Sequence, residues 1–90
     1  MAKAIVDPNE LRKFANDLKR FSEELHNQMN MLNTRSHALG QSWKDQEQRK
    51  FMEEFEQALR VLVKFQGVVK EHIPFLLRKA QRAEDYLQQR

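Results

Sequence analysis

The sequence predicts an all-α fold: an antiparallel two-helix hairpin, about residues 8–39 and 43–88, that dimerises into a four-helix bundle. Three observations predict it. The 90 residues include only two glycines and two prolines. That is too little turn material for a sandwich, a barrel or a βαβ unit, each of which turns about every ten residues. Five leucines, Leu11, Leu18, Leu25, Leu32 and Leu39, fall in one heptad register, which random placement gives about one time in two thousand. A single convincing break, Gly40-Gln41-Ser42-Trp43-Lys44-Asp45, divides the chain near its middle. The length allows one domain, and residues 1–90 are read as a single helical hairpin.

The first helix opens at Asp7-Pro8-Asn9-Glu10. Asp7 accepts from a backbone N–H of the first turn, Pro8 suits the first helical position, and Glu10 reaches back to complete a capping box. Val6 and Leu11 have the spacing of a hydrophobic staple. Phe14 and Phe21 are read as companions of the leucine row in the first two heptads. Gln28 and Arg35 take those places afterwards, so the seam narrows, and Met29, Met31 and Ala38 widen it again. A 3.5-residue period over some thirty residues implies a left-handed supercoil against partner helices.

In the break, Gly40 is expected to end the helix in a left-handed conformation. Ser42 and Asp45 read as a second capping box that opens the next helix at Trp43. In that helix Phe55, Leu62, Val69, Leu76 and Ala83 form one heptad row. Phe51, Ala58, Phe65 and His72 form a second, and Met52, Leu59, Ile73, Ala80 and Leu87 a third. Pro74 removes an intrahelical hydrogen bond and crowds the carbonyl of Lys70, with Gly67 lowering propensity nearby, so a kink without termination is expected near residues 70–74.

A connection of about three or four residues forces the helices antiparallel. A lone hairpin buries one strip per helix, yet the second helix is apolar on three rows. Leaving some eight large side chains exposed forgoes about 1.5–3 kcal/mol apiece, more than the margin on which small domains live. Pairing into a four-helix bundle is the remedy, and a homodimer is expected over a heterodimer with a paralogue. The core and dimer interface are therefore assigned to Leu11, Phe14, Leu18, Phe21, Leu25, Leu32, Leu39, Phe51, Phe55, Leu59, Leu62, Phe65, Val69, Ile73 and Leu76.

Charge and chemistry exclude more than they suggest. The 16 basic and 13 acidic residues give +3, spread evenly: six against five in residues 1–40, ten against eight in 41–90. There is no cysteine, hence no disulfide framework and no thiolate metal site. No apolar stretch reaches the roughly eighteen residues of a membrane span, and no cleavable signal peptide is read before Asp7-Pro8. His26, His37 and His72 lack metal-ligand spacing, so no metal or cofactor is expected. His72 reads as a partly buried histidine bonded to the backbone. No glycine-rich loop cradles phosphate, and Ser22, Ser36 and Ser42 have no nucleophile elbow. Catalysis is not expected. Most of the basic doublets at Arg12-Lys13, Lys19-Arg20, Arg49-Lys50 and Arg78-Lys79 carry acids within a turn, and no recognition-helix or stacking pattern accompanies them.

A single Trp in the connecting turn, with Phe51 eight residues beyond Trp43, resembles the Trp-X-Gly (WXG) family of hundred-residue, early-secreted-antigen-like proteins of type VII secretion. The resemblance covers the whole chain. It implies a helical hairpin that forms homo- or heterodimeric four-helix bundles, is exported folded, and works as effector, adaptor or carrier. Trp43, Lys44 and Asp45 then form the turn motif, with Asp45 where the family has glycine and Gly40 doing the turning, and Trp43 lines a cleft for a partner at the bundle tip or plugs the hairpin end. The family's export signal is Tyr-x-x-x-Asp/Glu after the second helix. Tyr86 matches its tyrosine, but the fourth residue on is Arg90, which weakens recognition by the secretion ATPase.

Three functions remain in play. The first is a non-enzymatic, dimeric, WXG-like interaction protein, substrate or adaptor of type VII secretion. The second is a cytosolic coiled-coil adaptor unrelated to secretion. The third, less favoured, is a small nucleic-acid-binding protein. The chain is expected in the cytoplasm, with export independent of a signal peptide under the first reading.

Overall fold

The computed structural model describes residues 6–89. Two helices, α1 (Pro8–Leu39) and α2 (Gln46–Gln88), lie side by side as an extended hairpin measuring 69 × 17 × 14 Å. There is no strand among the described residues. The reading of residues 1–5 as lacking a signal peptide, and that of Arg90, lie outside the described residues.

α1 starts where its cap dictates. Asp7 is extended (φ −93°, ψ 116°), and its Oδ1 accepts the Asn9 N–H at 2.8 Å with Pro8 as the first helical residue. The other half of the expected capping box is replaced by an ion pair, because the Glu10 carboxylate stands 3.6 Å from Lys13 Nζ.

The turn corrects the sequence reading in three ways. Gly40 is right-handed (φ −63°, ψ −16°), and no described residue has positive φ. The backbone instead curls on for one more turn: the Gly40 N–H donates to Ser36 O and His37 O, Gln41 to Ala38 O, and Ser42 and Trp43 both to Leu39 O. The last carbonyls of α1 are thus satisfied without a left-handed residue. A Cβ at Gly40 would sit 3.3 Å from the His37 carbonyl oxygen, so closeness rather than φ favours glycine there. Ser42 does not cap α2, since its hydroxyl donates to Leu39 O at 3.2 Å. Asp45 is the cap instead, its Oδ1 accepting the Gln48 N–H at 3.0 Å, and α2 begins at Gln46, three residues later than expected. The connection is the six residues 40–45.

The seam between the helices is a regular 3-4 alternation, as antiparallel coiled coils require. From α2 it takes the Phe55–Leu62–Val69–Leu76–Ala83 row and the Met52–Leu59–Ile73–Ala80–Leu87 row, each residue buried or half-buried. From α1 the leucine row contributes Leu11, Leu18 and Leu25, half-buried, while Leu32 and Leu39 near the turn stay exposed. The companion row of α1 is not the phenylalanine row. It is Pro8, Ala15, Ser22, Met29 and Ser36, all buried. Phe14 and Phe21 each stand one residue before a member of this row, Ala15 and Ser22, and so lie outside the seam, exposed. Met29 packs in the seam, whereas Met31 and Ala38 are exposed.

One seam position escaped the apolar count. Gln66 fills the gap between Leu59 and Ile73, is only 7% exposed, and its Nε2 donates to the Ser22 carbonyl at 2.9 Å. The Ser22 hydroxyl beside it is buried with no partner among the described residues. α2 runs unbroken through Pro74, which lies on the exposed side, where water reaches the Lys70 carbonyl that proline leaves without a donor.

Candidate interaction surface

A pair of helices one layer thick leaves each helix uncovered on its flanks, and here the two flanks differ. On one flank Phe14 and Phe21 of α1 stand beside Phe51, Ala58 and Phe65 of α2, one heptad position away from the seam. Phe21 and Phe65 fix this side in space, their rings meeting edge to face at 6.3 Å and 84°. The next row of α2 outward adds Val61, Val68 and Phe75. Phe14 is 55% exposed, Phe21 47%, Phe65 46% and Val61 66%. Phe14, Phe21, Phe51 and Phe65, assigned from the sequence to core and dimer interface together, are therefore open to solvent in the single hairpin. His72 shares it and is exposed too, in contrast to the partly buried histidine expected.

The opposite flank is polar for most of its length. Arg12, Lys19 and His26 of α1 run beside Glu56, Lys70 and Glu84 of α2, with Val63 and Leu77 as its apolar members. Arg12 and Glu84 meet there in a two-pronged bond, Nη1 to Oε2 at 2.9 Å and Nη2 to Oε1 at 3.0 Å. The hydrogen bond to Arg12, helped by its charge, holds the Glu84 carboxyl below its ordinary range, and the Arg12 guanidinium is raised in turn. Sequence reasoning missed this pair. Its signal was present, because residues 12 and 84 occupy the same heptad position and flank the seam on one side of an antiparallel hairpin.

At the tip Trp43 is half-buried and packs on α2, its ring centroid 5.7 Å from Phe51, which stacks in turn on Phe55 at 5.7 Å and 14°. Leu32, Leu39 and Phe51 remain exposed around this cluster. Trp43 is thus brought together with Phe51 and Phe55, while Lys44 is exposed and Asp45 is engaged as the α2 cap. Tyr86 stands near the far end of α2, 54% exposed.

No group of His, Cys, Asp or Glu able to hold a metal ion occurs among the described residues. A shallow groove of about 440 Å³ on the polar flank is lined by Ser22, Glu23, His26, Asn27, Gln66 and Lys70. No described helix is long and apolar enough to cross a membrane. The chemistry on offer is apolar contact along one flank and around the tip.

Residues 4–88 match the model of a protein family, WXG100, described as proteins of 100 residues with WXG. No curated protein and no solved structure matches the chain.

Proposed function

The chain belongs to the WXG100 family of small helical, secretion-associated proteins, and on that premise we propose that it is a non-catalytic interaction protein that acts as a dimer, as substrate or adaptor of a type VII secretion system. The observation that carries the reading is the open apolar flank. Full burial of a Val or Phe side chain is worth about 1.5–3 kcal/mol, so the half left uncovered on each residue represents about 1 kcal/mol. Over Phe14, Phe21, Phe51, Val61, Phe65, Val68 and Phe75 this approaches about 7 kcal/mol, the scale of a whole domain's stability. Covering that surface is a strong driving force for association. A second copy supplies a matching cover, which favours a homodimer in a four-helix arrangement over a heterodimer with a paralogue.

The turn supports the same reading. Asp45 replaces the family's glycine and becomes the α2 cap, while Trp43 keeps its place against Phe51 and Phe55. This cluster, with exposed Leu32 and Leu39, is the second contact surface, suited to an apolar segment of a partner. Tyr86 is exposed as an export signal must be, and Arg90 in place of an acid favours the companion reading of a cytosolic adaptor.

Sedimentation at micromolar concentration tests the dimer: a dimer is expected for the natural chain and a folded monomer for Phe65→Glu. A well-ordered monomer for the natural chain overturns the proposal. Export is tested by following the chain in culture medium with and without the secretion ATPase. Retention in cells whose system is active removes the secretion half.

A further inference from the structure

The exposed stripe of α2 is ordered by charge as well as by greasiness. Glu54 precedes the apolar run from Ala58 to Phe75, and Lys79 and Arg82 follow it. All of these side chains except the run itself are charged, all are exposed, and among the described residues neither Glu54 nor Lys79 has an ion-pair partner. On α1 the equivalent outer row is acidic, with Glu10, Asp17 and Glu24 before Met31. Phe14 and Phe21 of α1 border the seam on this flank, but in the row beyond them the apolar side chains are chiefly Val61, Val68 and Phe75 of α2, so the cover of that outer row lies against α2.

We propose that the cover is α2 of a second copy, running antiparallel about a twofold axis that passes between Phe65 and Val68. This rests on the reading that two copies pair, and adds which helix meets which, in what direction and in what register. A twofold contact must be self-complementary, with residue i meeting j where j meets i. About this axis Phe65 faces the partner's Val68, and Ala58 faces the partner's Phe75, small against large. Glu54 faces the partner's Lys79, and Phe51 faces the partner's Arg82, a ring beneath a guanidinium. The Ser22–Gln66 hydrogen bond sets α1 level with α2, and the same axis brings Glu10 opposite the partner's Arg35.

The neighbouring registers are worse. Sliding the copies one heptad toward the turn sets Arg82 against the partner's Lys44, base on base. Sliding the other way lays Lys79 and Arg82 on the partner's Val61 and Ala58, where charges lose water without gaining a counter-ion. A parallel pairing of α2 with α2 opposes Glu54 to its own copy. Placing α1 over α2 sets Glu24 on the partner's Phe65 and Gln28 on the partner's Val61, burying polar groups against apolar ones.

The chain has no cysteine, so single cysteines report the arrangement directly. Glu54→Cys and Lys79→Cys chains are made separately, checked for dimer by sedimentation, then mixed and oxidised. Residues 54 and 79 lie roughly 37 Å apart along one helix, so neither variant can link to itself in the proposed arrangement. The expected result is a covalent dimer in the mixture and none in either variant alone. Linking of either variant with its own copy means parallel helices and overturns the proposal. So does linking of Glu54→Cys with an Arg35→Cys chain in place of Lys79→Cys, which would put α1 over α2. A dimer in sedimentation that never links in the mixture overturns the register while leaving the pairing of two copies intact. A monomer in sedimentation removes the pairing itself.

Discussion

Glu84 is the titrating residue whose surroundings most clearly change its behaviour. Its carboxyl is held low by the two-pronged bond from Arg12. A carboxyl lowered in the folded state stabilises that state at pH above its ordinary value of 4.5, and the contribution drains away as pH falls through the lowered folded value. Urea unfolding of the natural chain and of Glu84→Gln should therefore differ at pH 7, with the variant weaker, and the gap should close as acid protonates Glu84 in the folded chain. Equal stability at pH 7 would mean the exposed pair contributes nothing. Asp45 shows the other way a single residue acts: where the family has a backbone-permissive glycine, this chain has an acceptor for the Gln48 N–H. A helix cap of this kind is worth about 1 kcal/mol, enough to compensate the lost freedom of the turn.

Between the two helices, what was legible was periodicity and what was hidden was closeness. The leucine repeat located α1 to its last residue, and two of the three rows read on α2 are the seam. The third row, with Phe51 and Phe65, and the Phe14–Phe21 row were read from the same heptad repeat, but they lie one position outside the seam and are exposed. The seam residues buried most completely are Ala15 and Ala80, 1% and 0% exposed. Gln66 was passed over for being polar, though it donates to a carbonyl that only small Ser22 leaves reachable. The start of α2 was missed by three residues because Ser42 and Asp45 are equally good caps in sequence, and only the extra turn after Leu39 decides between them. Crowding at the seam has a measurable cost. Ala80→Leu, although leucine is a good helix former, should destabilise the hairpin by about 1–3 kcal/mol through overpacking, read as a lower melting temperature. An unchanged or higher value would mean the helices stand further apart than described.

For the whole molecule, the decisive feature is that apolar surface sits chiefly on one flank and at the tip. If that flank is covered by a second copy, folding and pairing are linked, and stability depends on concentration. A tenfold rise in protein concentration should raise the melting temperature by about 3–5 °C for a pair of this size. A melting temperature indifferent to concentration would belong to a chain that folds alone.

The Arg12–Glu84 bond joins residues 72 apart in sequence, at the end of the hairpin remote from the turn. A force drawing the C-terminal end of α2 away from α1 meets the layer of Pro8 and Leu87 and then this clasp. Once it opens, the remaining layers peel one at a time, the geometry of a zip fastener rather than of a glued lap joint. Such a body resists heat and solvent with all its layers together, yet yields to directed traction with only one.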